Sequence, residues 1–405
     1  METFELTKSQ KKGEELFHEW FIKKGFKKKQ ILRIGGGGGF GKTYFIKYIM
    51  QKYKLTVKNC MVVAYTGQAV NVLRQNDIKA KTIHSSFMEA VEVPLKINGK
   101  VVKKRGIPIT TIRFKPIKFI SSKIKLIIVD ESSFLPEELE KLITSFNLPV
   151  LETGDPFQLP PVIGKQVFTT DTLDLVFTDP MRQSKDSEIF DLATRIRNGD
   201  RIDISKYHDQ VLFLLPQKTV KDTFYRYKPF FKYAQTIITT NNKQREIITE
   251  LYRKEILKTD SPYPLKGEKL ICRKNNWMLQ IGDYPLTNGT IGTVLNTIPR
   301  SQIDRKNHTF YMDFKPDYID GDYYDNLLCD FDYLSGPFGA DKIIDKFNEG
   351  EKFEFAHAIT THLAQGSTVD SAVFVDGYNH DAEYMRRLRY TAVTRAKKRL
   401  VYILP

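Results

Sequence analysis

The chain has 405 residues, 41% hydrophobic and 12% aromatic, enough for two ordinary cores and far too apolar for a disordered tail. Lysine and arginine number 63 against 48 acids, a net charge of +15 that suits a polyanionic partner whose counterions are released on binding. Cys60, Cys272 and Cys329 lie far apart and never as a C-x-x-C pair, so neither a disulfide framework nor a zinc site is suggested. With a charged N-terminal segment and no apolar run near the roughly 20 residues of a membrane span, a soluble cytoplasmic protein is expected.

In chain order, four short apolar runs each end in a polar or glycine-rich segment. Ile31-Leu32-Arg33-Ile34 leads into Gly35 and its neighbours, and Met61-Val62-Val63-Ala64 into Tyr65-Thr66-Gly67. Leu126-Ile127-Ile128-Val129 leads into Asp130-Glu131, and Val150-Leu151 into Thr153-Gly154-Asp155. Near-continuous apolar strands alternating with helical stretches predict a parallel sheet covered on both faces. Ligands collect at the carboxyl ends of such strands, so all four polar segments should share one edge.

Between these runs, residues 89–118 read as an insertion. Asn98-Gly99, flanked by Lys96-Ile97 and Lys100-Val101, is a strong hairpin signal because both turn residues tolerate positive φ. Lys103, Lys104 and Arg105 add charge to it. The interleaved Arg226-Tyr227-Lys228-Pro229-Phe230-Phe231-Lys232-Tyr233 could stack bases, but its helix-like apolar spacing favours a core role. The second half repeats the strand style at residues 236–239, 355–360, 372–375 and 400–404. Residues 261–350, rich in aromatics and punctuated by Asn288-Gly289 and Asp320-Gly321, read as a small β-rich insertion.

Gly36-Gly37-Gly38-Gly39-Phe40-Gly41-Lys42-Thr43 matches the phosphate-binding loop G-x-x-x-x-G-K-[ST], placed between a strand and a helix carrying Phe45, Ile49 and Met50. Its glycines let backbone N–H groups converge on phosphates, and the helix points its positive end at them. Lys42 would hold the β/γ-phosphates of ATP and Thr43 would ligate Mg²⁺. Asp130, after a buried strand, is the expected Mg²⁺ partner, and Glu131 the expected general base for the attacking water.

From here on, the ordered motifs resemble superfamily 1 helicases, specifically the 5′-to-3′ branch that holds the RecD-like enzymes and the phage Dda helicase. Leu6-Thr7-Lys8-Ser9-Gln10 looks like the glutamine motif, in which Gln10 would read adenine. Thr66-Gly67-Gln68-Ala69 and Thr82-Ile83-His84-Ser85 resemble strand-contacting motifs. Gly154-Asp155-Pro156-Phe157-Gln158-Leu159-Pro160-Pro161-Val162 is close to motif III, and Met181-Arg182-Gln183 resembles motif IV. Thr240-Asn241 looks like a strand-binding element. Residues 360–368, Thr-Thr-His-Leu-Ala-Gln-Gly-Ser-Thr, resemble motif V, and Tyr390-Thr391-Ala392-Val393-Thr394-Arg395-Ala396 resembles motif VI.

The resemblance implies an α/β fold with two RecA-like parallel-sheet domains in tandem. The first (1–88 and 119–183) would carry the hairpin insertion 89–118 as a duplex-splitting pin, with Asn98 at its tip. The second (184–260 and 351–405) would carry a small SH3-like β-barrel, 261–350. Gln158 would sense the γ-phosphate, Arg182 and Arg395 would act as arginine fingers, and Gly366 would touch the nucleotide. Thr66, His84, Asn241, Thr360, His362 and Ser367 would contact the strand.

The implied activity is ATP-dependent translocation on single-stranded DNA, 5′ to 3′, with unwinding at single-/double-strand junctions in replication, recombination or repair. A phage source, a monomer, and a single-strand-binding protein or replisome component as partner accompany that expectation. The same motor on RNA, and a phosphate-loop ATPase without strand separation, stay open alternatives. Two departures stand out: Tyr65 occupies a position that is usually proline, and Leu363 one that is usually lysine.

Overall fold

A computed structural model of the chain describes residues 4–405 except 95, 98–99, 102, 105–106, 109, 162–163, 180, 182–186, 283, 300–307, 320 and 337–349. The chain divides into two compact units, Met1–Pro156 with Pro160–Asp179, and Phe157–Leu159 with Pro180–Pro405.

The first unit opens with α1 (Lys8–Phe17), β1 (Ile31–Gly36), α2 (Lys42–Lys52), β2 (Cys60–Ala64), α3 (Gly67–Gln75), β3 (Ala80–Thr82) and α4 (Ile83–Phe87). An insertion follows: β4 (Met88–Pro94), β5 (Lys96–Ile97), β6 (Lys100–Val101), β7 (Lys103–Lys104), β8 (Ile107–Pro108) and β9 (Thr110–Pro116). Then come β10 (Leu126–Asp130), α5 (Glu137–Thr144), β11 (Val150–Gly154) and β12 (Leu175–Phe177).

The sheet order is β12-β1-β11-β10-β2-β3, all parallel. Every residue of β10 is buried, so side chains pointing to opposite faces are both covered, as its unbroken apolar run predicts. Val63, Ile127 and Val129 pack with Phe87 of α4 and Ile143 of α5. The four polar segments do follow strands that share one edge. The insertion is a longer ribbon than Asn98-Gly99 alone suggests: β4 and β9 pair from Met88↔Pro116 to Pro94↔Thr110. β5 and β6 pair as Lys96↔Val101 and Ile97↔Lys100, and the Asn98-Gly99 tip between them lies outside the described residues.

The second unit begins with α6 (Glu188–Asn198), β13 (Val211–Leu214), α7 (Val220–Arg226), α8 (Lys228–Tyr233), β14 (Thr236–Thr239) and α9 (Asn242–Leu251). A β-rich part follows: β15 (Lys269–Cys272), β16 (Asn276–Ile281), β17 (Tyr284–Leu286), β18 (Ile291–Pro299), β19 (Thr309–Pro316), β20 (Tyr324–Asp330), α10 (Phe331–Ser335) and β21 (Phe353–Phe355). The chain then returns through β22 (Ala358–Thr360), α11 (Thr361–Ala364), β23 (Val369–Val375), α12 (Ala382–Val393) and β24 (Ala396–Ile403).

The parallel sheet β13-β24-β23-β14-β22 carries the second nucleotide-fold core. The β-rich part is an antiparallel sheet, β20-β19-β18-β15-β21, whose two edges meet at a bridge between Cys329 and Glu351 and so close toward a small barrel. Residues 355–360, which read as one strand, divide between the two: β21 pairs antiparallel with β15, and β22 pairs parallel with β14. Arg245 of α9, fully buried, spans that switch by donating to the carbonyls of Phe355 (3.1 Å) and Ala358 (3.2 Å) and pairing with Glu354. In α7 and α8, Phe224 and Phe231 are core residues, as their spacing implies.

Candidate nucleotide and nucleic-acid sites

In the first unit the turn after β1 runs into α2 through Gly41, whose φ of 75° is the left-handed conformation that glycine adopts without a Cβ penalty. Phe45, Ile46 and Ile49 anchor the helix in the core; Met50 is only half-buried. Lys42 is buried and its ammonium donates to the carbonyls of Gly36 (2.8 Å) and Gly37 (3.2 Å), folded over the loop made by Gly36, Gly37, Gly38, Gly39 and Phe40. Gln10 sits in a capping box with Thr7 at the start of α1, and its amide donates to the Gly41 carbonyl at 3.2 Å. The N-terminal glutamine motif and the phosphate loop are thus physically joined.

Asp130 ends β10 and is 4% exposed. Its carboxylate accepts from the Thr153 hydroxyl at 2.6 Å and the Thr43 hydroxyl at 3.5 Å. Burial pushes its pKa up, and the Thr153 hydrogen bond and the nearby Lys42 charge oppose that push. Glu131 follows with φ 55°, a left-handed conformation that a non-glycine residue adopts at a cost and that recurs at functional turns. Among the described residues no cluster of three or more His, Cys, Asp or Glu side chains is placed to hold a metal ion. One carboxylate beside one hydroxyl suits Mg²⁺, which takes few protein ligands and completes its shell from phosphates and water.

Thr66, His84, Asn241 and Thr360 share a local design: each stands where a strand of a parallel sheet passes into a helix, whereas Ser367 lies between α11 and β23. Thr66 caps α3 and accepts the Ala69 N–H at 3.1 Å. His84 lies in α4 with its ring 6.0 Å from that of Tyr65, and burial lowers its pKa.

In the second unit Asn241 caps α9, accepting the Gln244 N–H at 2.9 Å, and Thr360 caps α11. His362 stacks near Tyr384, ring centroids 6.2 Å apart, and burial lowers its pKa as well. Both imidazoles are therefore biased toward the neutral form. Helix N-termini at the ends of β2 and β14 present backbone N–H groups of the kind that bind phosphates. Leu363 instead packs against the apolar core around Ala364.

The second unit also gathers Gln158, Ser367, Gly366 and Arg395. Phe157–Leu159 packs into this unit: Leu159 joins the core and its N–H donates to the Thr391 hydroxyl at 3.1 Å. Gln158 between them is buried. Arg395 is held by the carbonyls of Thr391 (2.9 Å) and Ser367 (3.0 Å) and the hydroxyl of Thr394 (3.0 Å). Ser367 and Arg395, assigned to different ligands from sequence, are hydrogen-bonded neighbours next to Gly366, which has φ 78°. Arg182 and Asn98 lie outside the described residues.

Two residues were missed by the sequence reading. Thr153 orders Asp130, and its signal was a polar pair, Glu152-Thr153, inside a strand that is buried throughout. Gln244 ties Thr240 to the loop after β23, and nothing local announced that contact.

Residues 22–164 match the AAA domain family model, and residues 355–403 match the UvrD-like helicase C-terminal domain. An uncharacterized mimivirus protein, R530 of Acanthamoeba polyphaga mimivirus, is 29% identical over 163 residues, 35% of this chain. The matched stretch is only 31% of that relative's length. Among solved structures, Bacteroides Pif1 bound to single-stranded DNA superposes with a TM-score of 0.57 at 19% identity, covering 100% of this chain and 95% of that one. Candida albicans Pif1 helicase gives 0.51 at 15% identity, covering 99% and 94%. No helix among the described residues is long and apolar enough to cross a membrane. Two separate stretches of the chain thus match an AAA domain and a UvrD-like helicase C-terminal domain, on a fold similar to that of the Pif1 helicases.

Proposed function

We propose that the protein is an ATP-dependent DNA helicase that translocates 5′ to 3′ on single-stranded DNA and opens duplexes at junctions. The observation that carries this reading is the set around Asp130. A buried carboxylate at the end of a central strand is ordered by Thr153 and faces the Thr43 hydroxyl of a phosphate-binding loop. Lys42 would release Gly36 and Gly37 to hold the β- and γ-phosphates, the loop N–H groups adding to its charge. Thr43 and Asp130 fit Mg²⁺, which when bound neutralises developing phosphate charge. Glu131 would take the proton from the attacking water. Arg395, fixed by three hydrogen bonds, would offer a cation to the transferring phosphoryl group, with Gln158 as its sensor and Arg182 as a second finger.

The strand would cross the helix N-termini at Thr66 and Asn241, with His84, Thr360, His362 and Ser367 beside them and the Asn98 hairpin as the pin. The four-part division at 88/89, 118/119, 183/184, 260/261 and 350/351, the RecD-like and Dda-like placement, a monomeric enzyme in the cytoplasm of a phage-infected cell, and a role in replication, recombination or repair with a single-strand-binding protein or replisome partner belong to the same proposal.

The test is ATP turnover with and without oligodeoxynucleotide, followed by unwinding of 5′-tailed and 3′-tailed duplexes of DNA and of RNA. We expect DNA-stimulated hydrolysis that Lys42→Ala and Glu131→Gln each abolish, and unwinding of the 5′-tailed DNA substrate. Stimulated turnover surviving in either variant overturns the site, and preference for a 3′ tail overturns the polarity.

A further inference from the structure

The loop that follows β23 belongs to none of the motifs, yet it lies on the edge of the second unit that carries Asn241 and Thr360. Sheet order places the ends of β22, β14 and β23 side by side. Their carboxyl ends carry Thr360, Thr240 with Asn241, and residues 376–381 respectively. Two strand-to-strand steps cover about 10 Å, the length of roughly three nucleotides at the stacked rise of ~3.4 Å.

The root of this loop is fastened on both sides. Asp376 is 3% exposed, and its carboxylate accepts from Arg389 (2.7 Å), from the Tyr402 hydroxyl (2.7 Å) and from the N–H of Gly377 (2.7 Å). Its carbonyl accepts the side-chain amide of Gln244 at 2.9 Å. The same Gln244 accepts from the Thr240 hydroxyl at 2.7 Å, while its backbone N–H caps onto Asn241. Gly377 passes so near that a Cβ there would stand 2.5 Å from the Thr240 hydroxyl oxygen, a distance no side chain tolerates. One glutamine therefore locks the Asn241 cap and the loop into a single bracket.

On that bracket stands Tyr378, 79% exposed, its ring edge-on to His380 at 5.4 Å and 84°. Among the described residues its hydroxyl has no hydrogen-bond partner, so folding makes little use of the side chain. Lys243, exposed in the first turn of α9, adds a cation beside the cap. An aromatic held in water on a stiff backbone, beside helix N–H groups and a lysine, is the arrangement that stacks a base while its phosphate is held. The ordering cost is met by the Asp376 and Gln244 network before any ligand arrives.

We infer that Tyr378 is a base-stacking platform that extends the single-strand track beyond Asn241, away from Thr360, by one nucleotide. This rests on the proposed function, and the experiment separates the two. Full-length protein is titrated into fluorescein-labelled oligothymidylate, and in parallel into oligonucleotides with 2-aminopurine at one position at a time. Tyr378→Ala is expected to weaken binding about 10-fold, within the range for losing one stacked base. Tyr378→Phe and Tyr378→Trp should bind as the wild type does. One 2-aminopurine position should be quenched by the wild type and released in Tyr378→Ala, with unchanged melting temperature and unchanged DNA-free ATP turnover. Equal affinity of Tyr378→Ala and wild type, or equal weakening by Tyr378→Phe, overturns the platform and leaves the helicase reading intact. A wild type that binds no oligonucleotide overturns both.

Discussion

The two parallel sheets place a buried aspartate at almost the same spot and resolve its charge in opposite ways. Asp130, at the end of β10, and Asp376, just past β23, are both buried, and burial pushes both pKa values up. Asp376 is answered by Arg389 and Tyr402, which close it off and turn it into an anchor for a surface loop. Asp130 is answered by the hydroxyls of Thr153 and Thr43, and among the described residues no arginine or lysine lies at ion-pair distance. Hydroxyl donors cost less to displace than a guanidinium, so Asp130 stays open to the cation proposed for it, while Asp376 is committed to rigidity. On the proposed function, one fold repeated twice yields a chemical site and a mechanical support.

The largest contrast should come from replacing each aspartate by asparagine. If Asp130 holds Mg²⁺ as proposed, Asp130→Asn loses a carboxylate worth several kcal/mol in the transition state, and ATP turnover should fall on the order of 10³-fold. Its stability without nucleotide should hold or rise, because a costly buried charge is gone. Asp376→Asn should do the reverse. Turnover without DNA stays near wild type, while stability falls by about 1–2 kcal/mol once the partial exposure of Arg389 is allowed for. Steady-state hydrolysis and urea melts on both variants read this directly, and a destabilised Asp130→Asn with normal turnover would reverse the assignment. A smaller effect is expected at Thr153→Val, which keeps the shape and removes the 2.6 Å hydrogen bond to Asp130. The Mg²⁺ concentration for half-maximal hydrolysis should rise about 10-fold, as for lost outer-shell partners elsewhere.

Lys42, Thr43 and Asp130 could be singled out as candidates from sequence because each lies within a few residues of a strand end, where spacing and composition carry the signal, and Thr43 and Asp130 do lie side by side. Thr153 could not, since its role needs β10 and β11 set side by side with Ile128 opposite Leu151. Gln244 needs a longer step still, from α9 to a loop 132 residues on. The split at residues 355–360 was hidden for another reason. A short, mostly apolar run satisfies an antiparallel barrel edge and a parallel sheet edge equally well, and only pairing tells Phe355 from Ala358. Short-range chemistry is therefore written in the string, while partners across a sheet are written only in the fold.

Glu188 gives the third and mildest resolution of a carboxylate. It stands in the first turn of α6 and gathers the backbone N–H groups of His208 (2.9 Å), Asp209 (3.2 Å), Gln210 (2.8 Å) and Val211 (2.9 Å). Partial burial pushes its pKa up, but those four donors outweigh it and bring the group down to about 2 from an ordinary 4.5. A folded pKa below the unfolded one adds stability that is complete above pH 4.5 and drains away as pH falls toward 2. Solvent screening limits the gain to about 1 kcal/mol. In urea titrations at pH 6 and pH 3, wild type should exceed Glu188→Gln at the higher pH, and the gap should narrow at the lower. A gap that widened with acid would mean the carboxylate is held neutral, as burial alone would have it, and the backbone donors could then no longer be ranked above burial at this helix end.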